Sequence, residues 1–204
     1  GTSQMSVSGG AFSGDNLSVT LSGVAKMDGL SGTWNKANIT LSGSTHMDNL
    51  TLKSGTCYLT CSGVAEIAGV SSINSDKVQL SMSGATSIKI DNINSGLVDA
   101  TASGAGKLSS IEVNASELIA NLSGASAVKF TGEIGKISAE MQGASSLSLH
   151  GNGNEVTVSA FGTSTLNAKN FTVKDASLKL SGVAGATVTV TKKLEKTEDR
   201  KSVV

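Results

Sequence analysis

Apolar and polar residues alternate over long stretches of this chain. One stretch places Leu17, Val19, Leu21, Gly23, Ala25 and Met27 at every second position. Another reads Val78, Leu80, Met82, Gly84, Thr86, Ile88 and Ile90, and a third Ile137, Ala139, Met141, Gly143, Ser145, Leu147 and Leu149. A period of two sustained this long predicts strands with one buried face.

These stretches are copies of one unit. Leu-Ser-Gly-Val-Ala at 21–25 returns in altered form at 41–45, 61–65, 82–86, 102–106 and 122–126, more loosely at 141–145 and 160–164, and again at 180–184. The central glycines are Gly23, Gly43, Gly63, Gly84, Gly104, Gly124, Gly143, Gly162 and Gly182, separated by 20, 20, 21, 20, 20, 19, 19 and 20 residues. Such a repeat is too short for a strand–helix–strand unit of about 30 residues. It suits two or three short strands joined by bends.

Stacking the copies sets each strand parallel to its counterpart in the next. The expected fold is all-β, a single-stranded parallel β-helix of about nine coils whose inward columns form the core. The handedness rule for parallel connections favours the right hand. Nine coils at about 4.8 Å make a rod of about 43 Å. The β-helix is expected over residues 15–190. An irregular N-terminal segment over 1–14 covers the first coil, and a charged tail over 191–204 shields the last coil from pairing.

Stacking also explains the residues at the bends. Eight positions before the central glycines stand Asp15, Asn35, Gly55, Asp76, Gly96, Ser116, Gly135 and Asn154. These are mostly residues that tolerate left-handed backbone at a corner. Two positions after the glycine the side chain is small, as in Ala25, Thr45, Ala65, Thr86 and Ser126. The coil is therefore expected to be narrow at the Ser-Gly bend, with the nine central glycines as structural corners.

Composition narrows the classes. Serine, threonine and glycine occur 33, 19 and 24 times, and proline is absent. Weak helix formers on this scale exclude a long helical protein, and the missing proline excludes collagen. The 38% apolar content argues against disorder. Net charge is zero, which gives no electrostatic footprint for nucleic acid. No apolar run is long enough for a transmembrane helix.

The reiterated unit, an apolar residue followed by Ser-Gly-Ala/Val and a small residue, resembles the auto-transporter adhesins with a head GIN domain. The likeness runs over about residues 15–190. It implies a right-handed parallel β-helix and an exported protein of the bacterial periplasm, outer-membrane surface or exterior. It supplies no active site to carry over. The chain starts at Gly1 and contains no signal peptide, which fits either a mature exported protein or a cytosolic one; the family likeness favours export.

Candidate chemistry is sparse. Two outward columns carry mainly hydroxyls. One runs Thr20, Thr40, Thr60, Ser81, Thr101, Asn121, Glu140, Ser159 and Lys179, and its neighbour begins Ser22, Ser42, Ser62 and Ser83. One charged constellation stands out: Lys26, His46 and Glu66 in an outward column, with Asp28 and Asp48 in the next. Together with Trp34 at a corner and Tyr58 on an outward strand position, these form the candidate ligand-contact surface. Phe161 replaces the serine before Gly162, and His150 adjoins the turn at Gly151–Gly153 as a plain surface residue. Cys57 and Cys61 share an inward face about 13 Å apart along one strand, far beyond the roughly 5.5 Å that a disulfide spans between Cα atoms. No disulfide, metal, cofactor or catalytic residue is expected.

The sequence thus reads as a non-enzymatic exported module that recognises a glycan or a protein at a cell surface. A polysaccharide lyase or hydrolase on the same fold is the alternative. It would need clustered carboxylates and long loops walling a cleft. A third reading, binding of ice or a water interface, would need one flat Thr/Ser face.

Overall fold

The computed structural model describes residues 2–7 and 11–199, all strand, bend and turn with no helix among them. The strands are β1 (Thr2–Ser6), β2 (Phe12–Leu21), β3 (Val24–Leu41), β4 (Ser44–Cys61), β5 (Val64–Met82), β6 (Ser87–Ala102), β7 (Lys107–Leu122), β8 (Ala127–Met141), β9 (Ser146–Ala160), β10 (Thr165–Ser181) and β11 (Gly185–Asp199). From β3 onward each strand pairs in parallel with the next, and the chain winds a β-solenoid of about ten turns.

The solenoid extends further at both ends than the repeat pattern indicates. Thr2–Ser6 lies in register on Val24–Asp28, and Phe12 and Ser13 lie on Gly32 and Thr33. The described part of the N-terminal segment is therefore strand and not irregular. It completes a first coil whose side chains are too unlike the repeat to show in sequence. At the other end β11 carries the ladder through Lys193–Asp199, paired with Asp175–Ser181. Neighbouring backbone holds this charged stretch as an extended edge strand. Residues 1, 8–10 and 200–204 of the two expected end segments lie outside the described residues.

Each coil has three arms. In β4 the buried positions are Thr45 and Met47, then Leu50, Leu52 and Ser54, then Cys57, Leu59 and Cys61. The alternation slips by one residue near positions 48–49 and again near 55–56, and each slip is a change of direction. The third bend is Ser62-Gly63. Inward side chains of all three arms stack into one core that runs the length of the rod, with Met47, Ile67, Ile88 and Phe130 among its wholly buried members.

The Ser-Gly bend is built from glycine by necessity. All nine central glycines have φ between 70° and 83°, a left-handed conformation that costs an L-residue about 1–2 kcal/mol. Space is equally short: a Cβ on Gly84 would sit 2.6 Å from the Gly63 carbonyl oxygen. That oxygen accepts a 2.8 Å hydrogen bond from Ala85 N–H, and Ala105 N–H does the same to Gly84. The ladder therefore closes across the bend instead of breaking there.

The second corner corrects an expectation. Gly55, Gly96 and the polar residues stacked with them do not adopt positive φ; Gly29, Asn49 and Gly69, at the preceding corner, do. Glycine at 55 and 96 answers to close approach instead. An added Cβ would lie 2.9 Å from the Asn35 carbonyl oxygen or 3.0 Å from that of Asp76. Where the column carries longer side chains, they bond along the rod, as Asn35 Nδ2 does to Asp15 Oδ1 at 2.9 Å.

Candidate functional site

The first arm of β3, β4 and β5 carries the charged cluster. Lys26, His46 and Glu66 occupy one column in register, and Asp28 pairs with Asp48 in the next. His46 is held on both sides: Nε2 is 2.6 Å from Asp48 Oδ2, and Nδ1 is 3.1 Å from Glu66 Oε2. Both partners are carboxylates, one from the same strand and one from the next coil. Lys26 Nζ lies 4.0 Å from Asp48 Oδ2, and Asn49 donates to Asp28 Oδ1 at 2.7 Å. The two aspartates thus turn to separate partners, which relieves the repulsion their register would impose. Asn49 takes part because its φ of 55° brings the side chain back over the preceding coil, a role the repeat pattern did not signal.

This cluster is a closed ladder. Each ring nitrogen and each aspartate is engaged by a charged or amide neighbour, and among the described residues no hydroxyl is hydrogen-bonded to His46 as a nucleophile would be. Among the described residues no three His, Cys, Asp or Glu side chains form a set able to hold a metal ion.

The third arm carries the hydroxyl column. Thr20, Thr40, Thr60, Ser81 and Thr101 stack in unbroken register, followed by Asn121, Glu140, Ser159 and Lys179. The change to Asn121 and Glu140 ends the hydroxyl face halfway along the rod. Tyr58 stands on the same arm, half-buried, with Lys36 Nζ 5.2 Å from its ring centroid. That cation–π contact already occupies a ring face.

Trp34 is not an exposed corner aromatic. Its residue is 6% exposed, and the indole packs over Gly14 and Gly32 of the first coils, where an added Cβ at Gly32 would collide with the ring. Two glycines supply the room that the largest side chain of the chain requires. Trp34 also lines one end of a groove.

That groove was not visible in the repeat. It has a volume of about 490 Å³ and follows the corner between the second and third arms of β3 to β6. Its floor is one inward column, Trp34, Ser54, Ser75 and Ser95. One rim carries Lys53, Asn74 and Asn94, and the other runs Asn35, Gly55, Asp76 and Gly96. The floor serines bond within the protein: Ser75 Oγ lies 2.9 Å from the Lys77 carbonyl, and Ser95 Oγ lies 2.9 Å from that of Leu97. The same column continues as Ala115 and Ile134, and the groove stops there. A small inward residue beside a corner glycine is the signal that would have located it.

Cys57 and Cys61 are free and buried in the core, and burial pushes both thiols up to about 12. Phe161 is half-buried beside Asn121 and Glu140, and His150 is half-buried on β9. On β11 a 2.6 Å contact with Glu195 raises the Lys193 ammonium above its usual range and lowers the Glu195 carboxyl.

The described residues form a long parallel β-solenoid of regular coils, the architecture of a repeat protein. Residues 97–198, half of the chain, match the family model described as "Putative auto-transporter adhesin, head GIN domain". The chain belongs to this family. No curated protein and no solved structure matches it. Among the described residues no helix is long and apolar enough to cross a membrane.

Proposed function

We propose that the chain is a non-catalytic, exported recognition module: a rigid rod that presents hydroxyl, amide and paired charged groups to a partner at a cell surface. The observation that carries this reading is the regularity of the coil. Central glycines recur every 19 to 21 residues and successive coils pair almost residue for residue, so among the described residues no inserted loop walls a catalytic cleft. Family membership points the same way, since the family is described as adhesin-like. The ionisable groups that an enzyme would aim at a substrate are bonded to one another.

The test has two arms. The purified chain is screened against an immobilised panel of bacterial and host glycans and surface proteins, and it is incubated with soluble polysaccharides while reducing ends and unsaturated products are followed. Saturable binding without turnover is expected. Polysaccharide cleavage that disappears in the His46→Ala/Asp48→Ala variant would overturn the reading in favour of a lyase or hydrolase.

A further inference from the structure

We propose that the corner groove of β3 to β6 binds a neutral oligosaccharide, with one sugar unit per coil. The inference rests on the recognition reading above and adds a site and a ligand class to it.

The cavity comes first. Its volume of about 490 Å³ falls within the range of small-ligand sites, about 300–1,000 Å³. It runs across four coils, a length of about 14 Å at the strand spacing. The spacing of neighbouring coils is close to the length of a pyranose unit, so rim groups recur in step with a sugar chain lying along the rod.

The rims then select the chemistry. Lys53, Asn74 and Asn94 follow one another on one side, and Asp76 faces them from the other. Amide side chains both donate and accept, as sugar hydroxyls do. One cation and one anion leave the groove without net charge, which favours a neutral ligand over an acidic one. Trp34, 6% exposed, lines the β3 end and leaves a small apolar contact for a terminal ring. A peptide strand fits less well. The backbone along this corner is paired from coil to coil, Trp34 with Ser54, Ser54 with Ser75 and Ser75 with Ser95, so no free edge is available for strand addition.

The groove is also open by choice of residue. The column that forms its floor accepts Ile134 two coils beyond Ser95, where that residue is 1% exposed. The fold therefore tolerates a large residue at this corner, yet three successive coils carry serine. Because these hydroxyls bond within the protein, the floor is shallow and polar while the rims are left for contact.

The experiment titrates the full chain with cellotetraose, chitotetraose and maltotetraose, followed by amide chemical shifts in NMR. At least one tetrasaccharide is expected to bind, with the shifts centred on residues 53–55, 74–76 and 94–96. Asn74→Ala/Asn94→Ala, at two exposed positions, should weaken binding tenfold or more. Ser75→Ile should abolish it by filling the floor, and circular dichroism with a thermal melt checks that each variant folds. Thr40→Ala/Thr60→Ala should bind as the wild type. Binding that survives both groove variants, or that maps to the hydroxyl column or to Tyr58, overturns the groove while leaving surface recognition standing. Failure of all three sugars to bind overturns the ligand class. Cleavage of a bound sugar instead overturns the non-catalytic reading while the groove survives.

Discussion

Replacing Gly84 by alanine tests the account of the Ser-Gly bend. Two costs combine at this position. The φ of 81° places alanine in the left-handed region, at about 1–2 kcal/mol. The new Cβ would also lie 2.6 Å from the Gly63 carbonyl oxygen and 3.1 Å from its nitrogen, and neither atom is the end of a flexible side chain. Relief requires the two coils to part locally, which strains the Ala85 N–H to Gly63 bond of 2.8 Å and lengthens a ladder bond worth about 1 kcal/mol. The sum is a destabilisation of about 2–3 kcal/mol. Gly185 is the internal control, since nothing lies within 4 Å of an added Cβ there and φ is not left-handed. Gly185→Ala should be neutral or stabilise by up to about 1 kcal/mol through the unfolded chain. Urea unfolding followed by far-ultraviolet circular dichroism, with both variants beside the wild type, gives the comparison. If the two glycines respond alike, the stacked bend is not under the constraint argued here.

Three further outcomes are expected. Above pH 9 the unfolded thiols ionise while Cys57 and Cys61, raised to about 12 by burial, keep their protons. Stability should therefore fall by about 1.4 kcal/mol per pH unit per thiol between those values, and the slope should drop by about twice that in Cys57→Ala/Cys61→Ala, read from urea melts at pH 9 to 11. His46→Ala/Asp48→Ala should change stability by no more than about 1 kcal/mol, because the ladder is partly solvated; a larger loss in a thermal melt would make the cluster part of the scaffold. The Thr86 hydroxyl is buried without a hydrogen-bond partner among the described residues, so Thr86→Val should leave stability unchanged or raise it by about 1 kcal/mol in the same assay.

How far the sequence reveals the protein differs by feature. The period of the central glycines and the alternation around them specify coils, columns and core, because a parallel solenoid repeats its physics at each turn. Register follows directly: Lys26, His46 and Glu66 share a column because they share a place in the repeat. The first coil escapes notice because Met5 and Phe12 are exposed at an open end and keep no repeat signature. The corner at Gly55 is misread because left-handed backbone and close approach both favour glycine, and composition does not separate them. Trp34 deceives for a related reason: its burial depends on Gly14 and Gly32, one a coil away and the other on the same strand, not on its immediate neighbours. The groove is the least legible, being a property of four side chains that are adjacent only after the coil closes.

The coil-by-coil pairing has a mechanical consequence. Each turn is bonded only to the turns before and after it, so tension applied between the two ends is relieved by peeling one coil at a time. Each event frees about 20 residues, which extend to roughly 65 Å where the folded coil occupied about 5 Å of rod. A tether made this way lengthens in equal increments under load, and each remaining coil still presents its faces unchanged.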